Sequence, residues 1–420
     1  MTATATAPAT AAPTAAEPRI LLAPVTVSPT KPLTPTHLKY LVSLDMLYRA
    51  TSTFAEVTFL YDHTAYAGSH QVAGFWAYLD ALAEDPAPGY ERMSEEEIGE
   101  LYAAYHRAGP PAPDAAASSA VTAAGTAAAS AAAAAAPRQA RRAGEMHPVS
   151  ARLLDLWEEH YRLLGMFDPR LGRGGPEPAA EDEVLGLLAE RDLCIDAREL
   201  GAPVYLDATT AGLPLRTVSD PDGQPNYLLY LLRQLVPLLD GYDVVVLAHD
   251  VELRTDYRTV AHVLTALGAE VVRYEVPRVP LEGSVRSTRH GGWQGYTLGA
   301  FSGALVEEFG ADVFRLGLRL YLVAGLGRTA PQSFSAEHMR RWMHRARRLL
   351  DRHGGGVPAA AELTAAGGYL AARAGRRRYA DPYQVTGALV SRDPAVPVGG
   401  LLQVVMGHRE EAGVPAGVGR

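Results

Sequence analysis

Two short runs of apolar, β-branched residues constrain the fold of this chain more than any other feature. Residues 243–248 read DVVVLA and residues 19–27 read RILLAPVTV, so neither run alternates strictly between apolar and polar positions. A strand that is apolar along its length must be covered on both faces, as strands of parallel sheets are. Helical patterns follow both runs, and a strand–helix–strand order is typical of a doubly wound α/β domain. We therefore expect a mostly parallel sheet, Rossmann-like, with helices on both faces.

Periodicity and capping residues predict the remaining elements. Further strands are expected over residues 56–61, 203–207 and 270–276, and helices over 71–83, 94–108, 148–165, 181–191, 226–239 and 256–267. Ser94 and Glu97 have the spacing of a capping box, which marks the start of the second of these helices. The region from 303 to 350 is expected to be almost entirely helical.

Composition shifts divide the chain into six parts. We expect a disordered tail over 1–18, the first half of the α/β core over 19–108, an Ala-rich low-complexity insertion over 109–145, the second half of the core over 146–302, a helical segment over 303–357 and a weakly structured region over 358–420. The insertion contains few large apolar side chains, so it has no face to bury.

Charge and cysteine content exclude several classes of protein. The chain has 420 residues and a net charge of -8, which argues against binding nucleic acid, DNA above all, through bulk electrostatics and leaves only local basic patches for such contacts. Its one cysteine, Cys194, allows no disulfide and no cysteine-based metal site. No apolar run is long enough to span a membrane, and the N-terminus lacks the pattern of a signal peptide. A cytoplasmic protein without a bound metal ion is expected.

The segment 28–37, SPTKPLTPTH, lies between the first strand and the first helix. In a parallel α/β sheet this is where phosphates bind, because the amides at the helix N-terminus point towards the ligand. His37 could donate a hydrogen bond to a phosphate oxygen there. The alternative is an ordinary proline-bearing turn with an incidental histidine.

This segment resembles the first signature of class I aminoacyl-tRNA synthetases, which reads N-P-T-G-P-L-H-V-G-H in the arginyl members. The positions that coincide are Pro29, Thr30, Pro32, Leu33 and His37. Thr34 stands in place of the first signature histidine, and Lys31 and Thr36 stand in place of the two glycines.

Further segments resemble the same family in the same order. Residues 62–71 are similar to N-H-x-G-D-W-G-T-Q, 157–167 to a helix that ends in L-G-V-x-F, 219–227 to S-D-G-T-P-T-Y, 243–250 to the strand before G-A-D-Q-H, 286–291 to M-S-T-R-K-G, and 309–315 to F/Y-G-A-D-A-x-R. Asp45 falls where the family's first helix often carries an aspartate. The resemblance therefore covers about residues 19–350.

The resemblance implies a set of site residues and substrates. It assigns catalytic roles to His37, Thr34, Arg286, Arg289 and His290, ATP contacts to Ser28, Thr30, Lys31, Ser287, Thr288 and Gly291, and amino-acid contacts to Asp62, His63, Gln71, Tyr227, Leu231 and Asp250. The expected reaction is the formation of an aminoacyl-adenylate from ATP, as its Mg²⁺ complex, and an amino acid. The acyl group then goes to tRNA or to a small acceptor.

Several substitutions separate this chain from the arginyl family. Leu231 stands where the family has an acidic residue that pairs with the substrate guanidinium, and Val251 stands where it has a glutamine. A guanidinium that faces leucine loses a charge-assisted hydrogen bond and is poorly solvated. Arginine is therefore not the expected substrate, unless Asp250, Glu252 or Asp62 replaces the missing carboxylate.

Two other functions remain open. Val285 replaces the first lysine of the second signature, and Thr34 replaces the first histidine, which favours a catalytically inactive binding or regulatory protein. A nucleotidyltransferase of the same superfamily that uses no amino acid is a third reading. The basic helix expected over 336–352 fits either an RNA contact or a solvated outer face.

Overall fold

The computed structural model describes residues 17–24, 27–61, 69–82, 89–108, 146–168, 171, 177–285, 288–329, 332–354 and 360–407. Residues 1–16 of the expected tail over 1–18, and the whole Ala-rich insertion over 109–145, lie outside these residues. The strands are β1 (Arg19–Pro24), β2 (Glu56–Phe59), β3 (Cys194–Asp196), β4 (Val204–Leu206), β5 (Arg216–Ser219), β6 (Val244–Asp250) and β7 (Val271–Val276).

The described residues contain these α-helices: α1 (Pro35–Thr51), α2 (His70–Leu82), α3 (Glu95–Ala108), α4 (Pro148–Leu164), α5 (Glu181–Ala189), α6 (Tyr227–Leu235), α7 (Arg254–Ala266), α8 (Leu298–Phe309), α9 (Ala311–Leu320), α10 (Ala336–His353), α11 (Ala360–Ala374), α12 (Pro382–Leu389) and α13 (Val398–Met406). The capping box at the start of α3 is present, since Glu97 N–H donates to Ser94 Oγ at 3.2 Å and Ser94 N–H donates to Glu97 Oε2 at 2.7 Å.

The main sheet has four parallel strands in the order β2-β1-β6-β7, which confirms the doubly wound α/β fold. Successive residues of its strands pack into two different cores. Ile20 and Leu22 belong to the core on the α1 side, whereas Leu21 and Ala23 belong to the core on the α7 side. An apolar side chain is therefore needed at every position, as the uninterrupted apolar runs predicted.

The strand order reverses direction at β1. Helix α1 connects β1 to β2 on one side, and α7 connects β6 to β7 on the other. The carboxyl ends of β1 and β6 consequently border a crevice at the topological switch point, where α/β sheets bind ligands. A second sheet, the antiparallel β3-β4-β5, lies between α5 and α6 in the chain. Only β4 of this sheet was expected from the sequence.

The C-terminal region is more ordered than the sequence suggested, since α11, α12 and α13 are regular helices. Because many of their residues are Ala or Gly, these helices can pack closely against their neighbours. A Cβ added at Gly400 would lie 2.9 Å from Ala366 Cβ, and one added at Gly367 would lie 3.2 Å from the Thr53 carbonyl oxygen. Leu370, Leu389 and Leu401 are at most 3% exposed. Small residues in this region mark helix contacts and not weak structure.

None of the described helices combines the length and apolar character that a bilayer span requires.

Candidate active site

The loop between β1 and α1 presents His37 at the crevice in a defined tautomer. Thr34 is the N-cap of α1, and its backbone N–H donates to His37 Nδ1 at 3.2 Å. An amide N–H can only donate, so Nδ1 is unprotonated and the neutral ring carries its proton on Nε2. Burial, Lys31 and Arg278 hold the pKa of His37 well below 6.5, while the Pro32 carbonyl opposes them. At neutral pH the ring is a neutral Nε2–H donor.

Lys31 lies half-buried in the same loop and faces other cations. Burial lowers its pKa to about 8, together with the charges of Arg289 and Arg278, whereas Asp250 opposes the shift. Lys31 therefore remains mostly protonated at pH 7, at a site where positive charge accumulates. An anion bound beside it would relieve the repulsion between these groups.

Arg278, which follows β7, neutralises the carboxylates at the end of β6. Its Nε donates to Asp250 Oδ2 at 2.6 Å, and its Nη1 lies 2.8 Å from Glu252 Oε2. Two of the three carboxylates that could have paired with a substrate guanidinium thus already have a cationic partner within the chain. The third, Asp62, lies outside the described residues.

Helix α3 packs on the β1–α1 loop and forms one wall of the crevice. Glu95 Oε1 accepts the backbone N–H of Leu33 at 2.6 Å, and Glu95 Oε2 lies 3.0 Å from His160 Nε2. About two turns beyond Glu95 on α3, the Tyr102 hydroxyl accepts a hydrogen bond from the Gln71 amide of α2. Burial raises the pKa of Tyr102, and the charge of Arg289 opposes this.

The loop that resembles the second signature is fastened to α3. Its residues Gly295 and Thr297 both donate to Glu96 Oε1, at 3.2 and 3.3 Å, and Gln294 donates to Glu100. The Trp293 side chain is buried, and its indole N–H donates to the Thr288 carbonyl at 3.2 Å.

Docking of this loop brings Arg289 to the crevice. Arg289 Nη2 donates to Gln71 Oε1 at 3.1 Å, and its charge acts on the pKa of Lys31, Tyr102 and His106. Arg289 and His290 are exposed, Thr288 is buried, and Gly291 has a φ of +72° that a side chain would strain. The structure therefore brings together predicted residues from four distant segments, namely Lys31, His37, Gln71, Asp250 and Arg289.

The other predicted site residues have different surroundings or lie outside the described part. Thr30 is buried beside Tyr102. Ser28 is half-buried, and its backbone carbonyl accepts a hydrogen bond from the Thr30 N–H at 2.8 Å. Arg286, Ser287, Asp62 and His63 lie outside the described residues.

Two predicted amino-acid contacts lie on α6. Leu231 is 1% exposed and belongs to the core on the α7 side of the sheet. The Tyr227 hydroxyl donates to Asp256, which also pairs with Arg216 at 3.0 Å. The leucine that replaces the family's acidic residue is thus a core side chain in this structure.

Asp45 and the segments 157–167 and 309–315 meet in a structural cluster. Asp45 accepts a hydrogen bond from the Phe167 N–H at 2.7 Å. It also pairs with Arg319 Nη2 at 2.8 Å, while Arg319 Nη1 donates to the Leu164 carbonyl at 2.7 Å. Arg315 Nε donates to the Leu163 carbonyl at 2.9 Å. These arginines cap the carboxyl end of α4 and thereby join three separate segments of the chain.

Four of the six arginines on α10 are engaged with the chain itself. Arg340 pairs with Glu308 at 3.2 Å, Arg341 pairs with Glu337 at 3.6 Å, Arg345 donates to the Val390 carbonyl at 3.0 Å, and Arg347 donates to the Glu308 carbonyl at 3.2 Å. The other two arginines, Arg348 and Arg352, are exposed. Helix α10 therefore presents a narrower basic surface than its sequence suggests.

Sequence reasoning missed Arg278, Tyr102 and His106. Arg278 follows a predicted strand at its carboxyl end, where site residues of such sheets gather, so a signal existed. Tyr102 and His106 are four residues apart on α3, so they lie on the same face of the helix. The sequence does not indicate that this face borders the crevice. Among the described residues, no group of three or more His, Cys, Asp or Glu side chains could hold a metal ion.

A scan against protein-family models and a search of the curated proteins both return no match. Among solved structures, an arginyl-tRNA synthetase of Thermus thermophilus is similar with a TM-score of 0.51 and 15% sequence identity, over 93% of this chain and 80% of that one. Arginyl-tRNA synthetase from Plasmodium falciparum is similar with a TM-score of 0.49 and 11% identity, over 93% of this chain and 75% of that one. Along nearly its whole length, this chain thus has an arginyl-tRNA synthetase-like fold of class I.

Proposed function

We propose that this chain activates an amino acid with ATP, as an arginyl-tRNA synthetase-like ligase that does not use arginine. The observation that carries the proposal is the arrangement of His37, Lys31 and Arg289 at the switch point of the sheet. His37 presents a neutral Nε2–H donor at the N-terminus of α1. The side chains of Lys31 and Arg289 lie close enough together for the charge of Arg289 to lower the pKa of Lys31. Such a constellation suits the phosphates of a nucleotide better than a neutral ligand.

In the proposed reaction, a carboxylate oxygen of the amino acid attacks the α-phosphorus of ATP. The new O–P bond replaces the bond between the α-phosphorus and the oxygen that bridges to the β-phosphorus, and pyrophosphate leaves with that oxygen. His37 would donate from Nε2 to a phosphate oxygen, and Lys31 and Arg289 would stabilise the negative charge that moves to the pyrophosphate. ATP would arrive as its Mg²⁺ complex.

The charges at the end of β6 support the loss of arginine specificity. Arg278 already occupies Asp250 and Glu252 with two close ion pairs, so a substrate guanidinium would have to displace it. Displacement would leave a cation half-buried and unpaired, which is strongly unfavourable. An amino acid without a second positive charge is the better candidate, and the acceptor is tRNA or a small amine or hydroxyl compound.

Amino-acid-dependent exchange of labelled pyrophosphate into ATP tests this function, with each of the twenty amino acids in turn. We expect exchange with at least one amino acid other than arginine, and a loss of about 100-fold in His37→Ala, because removal of one transition-state donor has effects of this size. The matched control is His344→Ala, which removes an exposed histidine of α10 and leaves exchange unchanged.

The outcomes separate the competing functions. Absence of exchange with every amino acid, in a folded protein that still binds ATP, would contradict the proposal and leave a nucleotide-binding protein without ligase activity. Exchange with arginine alone would contradict the proposed specificity.

A further inference from the structure

The last turn of α3 carries a histidine that the proposed reaction does not yet use. The His106 ring lies against Tyr102 and Tyr105 of the same helix, with centroids 4.5 and 4.8 Å apart. Its Nε2 atom is buried, and within the part of the chain that the structure describes no hydrogen-bond partner reaches it. A buried ring nitrogen without a partner is unfavourable unless something binds there.

The groups that face His106 are cationic or neutral. The β1–α1 loop contributes Lys31, and the segment that resembles the second signature contributes Arg289 and His290. Arg289 donates to Gln71, which in turn donates to the Tyr102 hydroxyl beside the His106 ring. Its own helix contributes the two tyrosines, which burial keeps protonated by raising their pKa. Burial and then the charges of Arg289, Lys31 and His290 lower the pKa of His106 to about 4, and no carboxylate contributes to this shift.

This arrangement favours a ligand with several negative charges. Two cations and an uncharged imidazole converge from three separate segments, and each cation makes protonation of the imidazole harder. A polyanion reverses that effect, because it offers acceptor oxygens to the ring and attracts a proton to it. A neutral ligand would gain nothing from the cations, and a cation would be repelled.

We propose that His106 of α3 is a further binding residue for the two terminal phosphates of ATP and for the pyrophosphate product, in one subsite with Arg289 and Lys31. This inference rests on the proposed function, which supplies the polyphosphate. Thr34 stands where the resemblance would place a second histidine and is uncharged, so His106 supplies a second imidazole at the crevice from a different element.

Direct binding of inorganic pyrophosphate to the full-length protein tests the subsite by isothermal titration calorimetry. We expect His106→Ala to weaken binding about tenfold, the size expected for loss of one hydrogen bond to a charged group. The matched control is Arg107→Ala, because Arg107 is exposed on the next position of α3 and carries a full charge. A subsite predicts less than a twofold effect for this control, whereas bulk electrostatics predicts a larger effect than for His106→Ala.

A proton-uptake measurement separates a binding histidine from a merely structural one. Free His106 is unprotonated at pH 6.5. The negative charge of a bound polyanion raises the pKa of this ring, and any proton that the ring then takes up comes from the buffer. Titrations at pH 6.5 in two buffers of different ionisation enthalpy should show more protons taken up per pyrophosphate by the parent protein than by His106→Gln. Lys31 and His37 are the same in both proteins, so their contributions cancel in the difference.

The results distinguish this inference from the proposed function. Failure of the parent protein to bind pyrophosphate, or equal affinity and proton uptake in the parent, His106→Ala and His106→Gln proteins, would overturn the subsite, even where amino-acid-dependent exchange is observed. Pyrophosphate binding that depends on His106, without exchange for any amino acid, would support the subsite and contradict the ligase function alone.

Discussion

Lys31 shows how one side chain sets the electrostatics of the β1–α1 loop. In the signature that this loop resembles, a glycine occupies the position and contributes no charge. Here a lysine lies half-buried beside Arg278 and Arg289, and its pKa falls to about 8. The lowered pKa places the loss of its charge within the range in which enzymes are assayed, so its role can be read from pH dependence.

ATP affinity should fall as the pH rises above about 8, because Lys31 loses its proton there and an uncharged amine binds phosphate less well. The sign follows from the free protein: below its pKa Lys31 is charged and attracts ATP, and above it the attraction is lost. We expect about a tenfold loss between pH 7 and 9.5, measured as the dissociation constant for ATP.

Two variants control this prediction. Lys31→Arg keeps a positive side chain throughout this pH range, so its dissociation constant for ATP should change little with pH. Lys31→Ala should bind ATP weakly at every pH. A profile in Lys31→Ala that matches the parent protein would assign the titration to another group.

At the scale of elements, α3 decides how the crevice is built. It holds the β1–α1 loop through Glu95 and the 288–297 loop through Glu96 and Glu100. Between these contacts, Gly99 leaves room for two neighbours: an added Cβ would overlap the Trp293 ring and would lie 2.9 Å from Pro32 Cδ. The absence of a side chain at this position lets both loops approach the same helix.

Gly99→Ala should therefore separate the 288–297 loop from α3 although alanine favours helix formation. We expect destabilisation by about 1–3 kcal/mol, as for overpacking of a close contact, and weaker ATP binding because Arg289 is displaced. Chemical denaturation and an ATP titration measure the two effects.

The matched control is Gly186→Ala in α5, where an added Cβ meets nothing within 4 Å. There we expect the free energy of unfolding to rise by about 0.5–1 kcal/mol, because only helix propensity changes. A stabilising Gly99→Ala substitution would show that the contact with Trp293 is not required.

At the scale of the whole molecule, the C-terminal helices share a core with the sheet. Leu401 of α13 and Leu389 of α12 belong to the same continuous cluster as Ile20 of β1 and Leu41 of α1. The buried Lys39 of α1 donates to the Gly327 carbonyl at 2.7 Å, which ties α1 to the segment after α9. Elements from both ends of the chain therefore contribute to one folding unit.

Leu401→Ala should lower the stability of the α/β core as well as that of α13. We expect a loss of about 2–5 kcal/mol, the range for truncation of a buried leucine, in one cooperative transition. Tryptophan fluorescence, to which the buried Trp157 and Trp293 of the core contribute, should report the same midpoint as far-ultraviolet circular dichroism. Leu200→Ala, at a side chain that is 87% exposed, should leave the midpoint within experimental error. Two separate transitions would show that the C-terminal helices fold independently.

The sequence alone determined the features that depend on neighbouring residues. The apolar runs of β1 and β6 predicted a sheet covered on both faces, and Ser94 with Glu97 predicted the start of α3, because strand burial and helix capping are decided within a few positions. The ordered resemblance of several segments correctly predicted the synthetase-like fold. It did not predict β3 and β5, whose three- and four-residue runs carry too little pattern, nor the order in α11–α13, where small residues conceal close packing.

Only the tertiary structure decided which charged groups meet. The hydrogen bond from Arg289 to Gln71 joins residues 218 positions apart, and Arg278 reaches Asp250 from the next strand of the sheet. Such encounters depend on strand order and helix packing, which local patterns do not encode. The sequence thus supplied the strand, the helix and the histidine at the end of β1, whereas the cations around that histidine and the neutral His106 opposite them came from the fold.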